Sequence, residues 1–185
     1  DSVGDEMIIN KISEKGIKIS KIDGYDLPYE IEKNVAGVSA LAMYEALQPV
    51  CGFDIEIYKK IKPGSGIGSS SASAAGSVFG MNELLGRPLN KIELTKYALK
   101  GEALASQCEH ADNLAPAIFG GFTLVRSYSI KKNKFEVTMT LSETKIEEAL
   151  ESIRPFLKQD GGDVEFISYD NNVVKLRLLG ACSTC

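Results

Sequence analysis

An excess of positive charge is the first thing this sequence lacks. Lysine and arginine total 21 against 25 aspartates and glutamates, a formal net charge of −4. Nucleic-acid binders normally carry a basic stripe, so that class of partner is not expected. The mild negative balance reads as ordinary solubility. No apolar run approaches the length needed to cross a bilayer, and no charged-then-apolar leader opens the chain, so no membrane partner is expected either. Histidine occurs once, at His110, and cysteine four times. Cys51 and Cys108 are isolated while Cys182 and Cys185 lie close together, unlike a secreted disulfide framework. A reducing cytoplasm is the expected location. The chain opens on Asp1 rather than methionine, and residues upstream of it are expected.

What is present is strongly patterned. Apolar residues make up 44% and charged residues 25% of 185, ordinary for one globular domain or two small ones. "EMIINKISEKGIKISKI" alternates apolar and polar residues around Lys15-Gly16, which predicts a hairpin. "NVAGVSALAMYEAL" predicts a helix capped by Asn34. "GFDIEIYKKI" predicts a strand with Phe53, Ile55 and Ile57 on one face. "SASAAGSVFGMNELLG" reads as a second helix. "NKIELTKYALKGEALAS" reads as a third, with Asn90 and Glu93 forming a capping box. "GGFTLVRSY" is a further strand. Around residues 129–141 the character changes to a basic patch and a β-like run. An amphipathic helix follows, with Ile146, Leu150, Ile153 and Leu157 at helical spacing. After the turn "KQDGGD", Val164 and Phe166 begin one strand, and Val174, Leu176 and Leu178 alternate in another. The organisation expected is one unit at residues 1–128, a junction at 129–141, and a smaller unit at 142–185. Both units are α+β, the first with a mixed or antiparallel sheet and helices on one face.

Between the strand at 53–61 and the helix after it lies "PGSGIGSSSASAAG", almost wholly glycine, serine and alanine. A flexible linker would be flanked by polar, disordered sequence, and these flanks are patterned instead. A strand–loop–helix position is where phosphate-binding loops occur: glycines let backbone amides approach an anion, and the helix N-terminus adds free N–H groups and a favourable dipole. There is no Gly-Lys-[Ser/Thr], so this is no Walker loop. Ser69 stands where the dinucleotide fingerprint needs its third glycine.

The segment resembles the ATP-binding signature of the GHMP kinases, with Pro63, Gly64, Gly66, Ile67, Gly68, Ser69 and Ser70 on its pattern. The stretch "ALKGEALASQCEHADNLAPAIFGGFTLV" resembles the homoserine kinases, and the likeness spans most of residues 1–128. It implies ATP held by Pro63, Gly64, Ser65, Gly66, Ile67, Gly68, Ser69, Ser70 and Ser71. A loop without lysine does not neutralise a triphosphate alone, so a magnesium ion is implied. Its ligands, by resemblance, are the Ser70 hydroxyl and the Glu102 carboxylate, and catalysis would rest on the same two. The implied reaction is transfer of the ATP γ-phosphate to the hydroxyl of L-homoserine, a step toward threonine. Positioning and electrostatics dominate such transfers. A lone histidine is more often structural than catalytic, but the resemblance places His110 in the amino-acid pocket, with Asn113 as a second candidate there. Without the resemblance, Glu102 would read as an exposed helix charge. Cys108 and His110 together make no metal site, and Cys51 and Cys108 read as small buried thiols. Homoserine kinases also carry an opening strand with an Asn- and Asp-bearing loop, and a C-terminal half with substrate-binding arginines. Neither pattern occurs here, so weak or absent turnover is expected.

In the tail, "LGACSTC" sets Cys182 and Cys185 in a C-x-x-C that alone could be half a zinc site, a redox pair, half an iron–sulfur site, or chance. "IEEALESIRPFLKQDGGDVEFISYDNNVVKLRLLGACSTC" resembles the NifU C-terminal (NFU) domain. That likeness implies a homodimer in which each chain lends Cys182 and Cys185 to a shared 4Fe–4S cluster. The family continues past the second cysteine with a proline and a closing helix, so an unsupported cluster loop is expected here. Three readings therefore stand: a homoserine kinase-like phosphotransferase, an iron–sulfur scaffold or carrier, and a join of two gene pieces with no shared role.

Overall fold

The computed structural model describes residues 4–106, 111–120, 123–129, 134–139, 143–159, 161–170 and 173–180. Strands β1 (Glu6–Ile12) and β2 (Ile17–Asp23) come first, then helix α1 (Val35–Leu47) and strand β3 (Gly52–Tyr58). The expected hairpin does not form. β1 pairs antiparallel with β3, from Glu6↔Tyr58 to Ile12↔Gly52, and β2 pairs parallel with β3 on its other edge. The three-stranded order is β1-β3-β2, with β3 inserted between the two strands expected to pair. Gly52 permits the crossing that this order requires. The connection from β1 to β2 crosses its backbone so closely that a Cβ there would lie 2.0 Å from the Glu14 carbonyl oxygen. The Phe53 N–H donates to the Gly16 carbonyl at 2.9 Å.

Asn34 caps α1 as expected, its Oδ1 accepting from the Ala36 and Gly37 N–H groups at 3.0 and 3.3 Å. Helices α1 and α2 (Ser69–Leu84) pack on one face of the sheet, and α3 (Lys91–Ser106) packs across both of them. The Asn90–Glu93 capping box is present in both directions, at 2.8 and 3.0 Å. Phe53, Ile55 and Ile57 are buried beneath Met43, Val78, Met81, Leu94 and Leu99. Burying each such side chain contributes roughly 1.5–3 kcal/mol, so this cluster dominates the stability of the first unit. Small residues allow close helix contacts: a Cβ on Gly101 of α3 would lie 2.2 Å from both the Val35 carbonyl oxygen and Ser39 Oγ of α1.

Helix α4 (Leu114–Phe119) and strand β4 (Thr123–Ser129) follow, and β5 (Lys134–Met139) pairs antiparallel with β4. The stretch read as a junction is therefore built in part as a strand. In the tail, α5 (Glu143–Gln159) packs on β6 (Gly162–Asp170), which pairs antiparallel with β7 (Val173–Gly180). Ile146, Leu150 and Val164 are buried together, with Leu157 and Phe166 against them. Ile153, expected on the same stripe, is 41% exposed, because a two-stranded ribbon covers only part of the helix face. Arg154 pairs with Asp163, tying the helix to the start of β6. Among the described residues no helix is long and apolar enough to cross a membrane.

Candidate functional site

β3 delivers the chain into the glycine-serine loop, and α2 leaves it. A turn at its start is closed by the Ser65 N–H donating to the Lys62 carbonyl at 3.2 Å. Gly64, Gly66 and Gly68 all hold positive φ, at 77°, 81° and 77°. A Cβ on Gly64 or Gly66 would meet nothing within 4 Å. The left-handed backbone, not crowding, is what requires glycine there. Residues 64–67 are exposed, including Ile67. α2 starts at Ser69 with Gly68 as its N-cap and no side-chain cap hydrogen bond. Its first turn therefore offers backbone donors and the positive end of the helix dipole beside the open loop, an arrangement suited to an anion.

A buried carboxylate lies on the next helix. Glu102 of α3 is 6% exposed and Ser71 of α2 is 1% exposed, and the Ser71 hydroxyl donates to Glu102 Oε2 at 2.8 Å. Glu102 is thus not the exposed helix charge that its sequence context suggested. The serine that meets it here is Ser71. Ser70, one residue back and about 100° round the helix, instead lines a small cavity with Leu27, Val35, Ile57, Lys59 and Ser73. Pro63 borders the same cavity. Asn113 comes up to the loop from the start of α4: a Cβ on Gly68 would sit 3.3 Å from Asn113 Cβ and Oδ1. The fold therefore brings the loop, Ser70, Ser71, Glu102 and Asn113 into one region.

Beneath the loop is a cluster that sequence reasoning missed. Lys59 has a side chain only 3% exposed and pairs with Asp5. Its ammonium also donates to Ser69 Oγ, to the Ser69 carbonyl at 3.3 Å and to Ser73 Oγ at 3.0 Å. Asp5 Oδ1 accepts from the backbone N–H groups of Lys60 and Ile61, at 2.8 and 2.9 Å. Asp5 Oδ2 accepts from Ser69 Oγ at 2.7 Å. Burial pushes the Asp5 carboxyl upward, but hydrogen bonds from Lys59, the Ile61 N–H, Ser69 and the Lys60 N–H outweigh it and hold the pKa at about 2. In the sequence Lys59 is one lysine of "YKKIK" and Asp5 lies more than fifty residues away, so neither carried a signal.

His110, Cys108, Cys182 and Cys185 lie outside the described residues. Cys51 is half-buried against the core. Among the described residues no three acidic, histidine or cysteine side chains converge on a metal position. A divalent cation beside Glu102 would therefore draw its other oxygens from serine hydroxyls and from a ligand's own phosphates. This suits magnesium, which usually keeps few protein ligands. Glycines open to solvent, an uncapped helix start and one buried carboxylate together fit a magnesium–nucleotide better than a metal alone.

Residues 33–121 match the family described as GHMP kinases N terminal domain, and residues 146–185 match the NifU-like domain. The chain is 44% identical over 177 residues to a homoserine kinase of Methanococcus vannielii, covering 92% of this chain and 57% of that protein. It is 40% identical over 138 residues to a homoserine kinase of Chlorobium phaeobacteroides, covering 68% and 43% respectively. The crystal structure of homoserine kinase from Cytophaga hutchinsonii superposes with a TM-score of 0.68 at 31% identity, covering 87% of this chain and 58% of that one. The chain thus spans about half the length of the curated relatives it matches.

Proposed function

We propose that this chain, which carries a GHMP kinase N-terminal domain at residues 33–121 and a NifU-like domain at residues 146–185, binds magnesium–ATP in its glycine-serine loop and directs the γ-phosphate to the hydroxyl of homoserine. The observation that carries this reading is the pairing of an uncapped helix start at Ser69 with the buried Glu102 carboxylate bonded to Ser71. The backbone donors of the loop and helix start would meet the phosphates, and the Glu102 carboxylate would serve the cation. Gly64, Gly66, Ile67 and Gly68 would wrap the triphosphate with backbone amides, Pro63 and Ser65 would hold the turn that starts the loop, and Ser69, Ser70 and Ser71 would add the first helical turn. Bound magnesium would neutralise phosphate charge, held by Glu102 and by the Ser70 hydroxyl expected from the family pattern or the Ser71 hydroxyl that meets Glu102. Leu27, Val35 and Ile57, lining the cavity beside Ser70, would give the base an apolar wall. Asn113 and His110 would face the amino acid.

In the transfer, a bond forms from the homoserine oxygen to the γ-phosphorus, the bond to the β-phosphate oxygen breaks, and the hydroxyl proton leaves to solvent. Donors already in place stabilise the charge that spreads over the phosphoryl oxygens. The test separates binding from chemistry. At a hundred times the dissociation constant, a nucleotide stabilises its protein by about 2.7 kcal/mol, which raises Tm by roughly 5–10 °C for a chain of this size. Magnesium–ATP should do this and magnesium–GTP at equal concentration should do less. Phosphorus NMR of the same sample with homoserine then reads any O-phosphohomoserine formed and measures the weak turnover expected above. An unchanged Tm would remove the reading.

A second reading belongs to the tail, favoured by the match of residues 146–185 and by the β6–β7 ribbon that ends at Gly180, just before the cysteine pair. In it Cys182 and Cys185 of two chains share a 4Fe–4S cluster, which needs four thiolates. Anaerobic reconstitution with iron and sulfide should give a brown dimer; a colourless product with free thiols would overturn it. Failure of both tests would favour a join of two gene pieces without a shared role.

A further inference from the structure

Asp5 lies more than fifty residues before the loop in sequence, yet it touches both of the loop's ends. One carboxylate oxygen takes the N–H groups of Lys60 and Ile61, where β3 runs out. The other takes the hydroxyl of Ser69, where α2 begins. Lys59, buried between them, pairs with the same oxygen and reaches the Ser69 carbonyl and Ser73. The intervening residues 62–68 include three glycines at positive φ. Such a segment has many conformations open to it, and only a few of them point its amides at one place.

We propose that Asp5 is a positioning residue: its carboxylate staples the strand exit to the helix entry and so holds the loop between them in the shape that receives phosphate. This rests on the nucleotide reading above. Charge-assisted bonds are the strong ones, and four of them converge on this carboxylate. Lys59 spends its ammonium on the staple rather than on ligand, which explains how a loop beside a buried lysine still needs a cation from elsewhere. Without Asp5, the loop would samples its shapes freely, and apparent affinity would fall by the fraction of time it is correctly shaped.

The test uses the full chain and two variants. Asp5→Asn keeps the shape of the side chain and removes its charge. Because this leaves Lys59 buried without its counter-ion, the double variant Asp5→Ala/Lys59→Met removes both charges and preserves the fold if the first does not. Ile55→Val, a core change in β3 away from the loop, serves as the control for general destabilisation. In the ligand-free state, amide hydrogen exchange at Lys60 and Ile61, whose N–H groups donate to Asp5, should accelerate about tenfold in the Asp5 variants while α3 keeps its protection. Magnesium–ATP affinity should fall about tenfold, and Ile55→Val should leave it unchanged. Equal exchange at these two amides, or equal affinity in variants whose parent binds, overturns the proposal. If the parent protein binds no nucleotide, the functional reading fails, and the exchange alone decides whether the staple exists.

Discussion

Replacing Gly101 by alanine tests how the fold places its buried carboxylate. Gly101 precedes Glu102 on α3 at the point where that helix presses on α1. An added Cβ would lie 2.2 Å from the Val35 carbonyl oxygen, whereas ordinary contact begins at 3.4 Å. The obstacle is backbone and does not rotate away, so α3 must withdraw from α1 by about 1 Å. Overpacking of this kind costs about 1–3 kcal/mol, and a rigid obstacle puts it near the upper end. Alanine recovers up to about 1 kcal/mol of helix propensity over glycine, leaving a net loss of about 2 kcal/mol. Calorimetry should therefore record a Tm about 4–8 °C lower. Because the shift carries Glu102 with it, the stabilisation by magnesium–ATP should shrink in the same experiment. Gly80→Ala is the control. Its Cβ would lie 2.7 Å from Ile9 Cδ1, the far end of a flexible side chain, so its Tm should stay close to wild type. A Gly101→Ala protein as stable as its parent would refute the close α1–α3 contact and the placement argued from it.

Three further outcomes follow from the same geometry. Glu102→Gln retains an oxygen for Ser71, so stability should fall by only about 1 kcal/mol. Its affinity for magnesium–ATP should fall at least tenfold while that for metal-free ATP hardly moves, as titrations with and without magnesium would read; equal losses would take Glu102 out of the cation's reach. Gly68→Ala places a side chain at φ 77° and 3.3 Å from Asn113. It should cost about 1–2 kcal/mol in urea unfolding and weaken nucleotide binding severalfold. Gly86→Ala, at φ 85° with open space around it, should cost stability alone, and a nucleotide effect there would contradict the loop assignment. Acid unfolding reports on Asp5. Its folded pKa of about 2 lies below the ordinary 3.8, so its contribution is present above pH 4 and lost as pH falls from there through 2. The contribution is on the order of 1 kcal/mol after solvent screening. Urea midpoints at pH 5 and pH 2.5 should differ less in Asp5→Asn than in the wild type, and identical differences would refute the assignment.

Local signals carried most of what the sequence disclosed. The alternation at Phe53, Ile55 and Ile57 marks β3 because one face of that strand is buried under helices. Asn34 and Asn90 disclose two helix starts because a cap is a contact within a few residues. The loop was legible because its glycines answer a backbone requirement that no other residue meets as cheaply. Pairing between β1 and β2 was misread because alternation specifies a face and not a neighbour, and β3 supplies an equally apolar edge to each. Burial of Lys59 was invisible because the partner that makes it tolerable, Asp5, is remote in sequence. The change of character after residue 129 was visible, but the pairing of β5 with β4 was not, since a basic, β-like run carries no mark of which strand it will meet.

Most depends on whether the glycine loop and the open start of α2 hold a nucleotide triphosphate together with a divalent cation. Isothermal titration calorimetry of the folded full chain with ATP and magnesium measures this directly. One site per chain is expected, with heat that collapses when magnesium is chelated. A folded sample giving no heat with ATP in the presence of magnesium would contradict it.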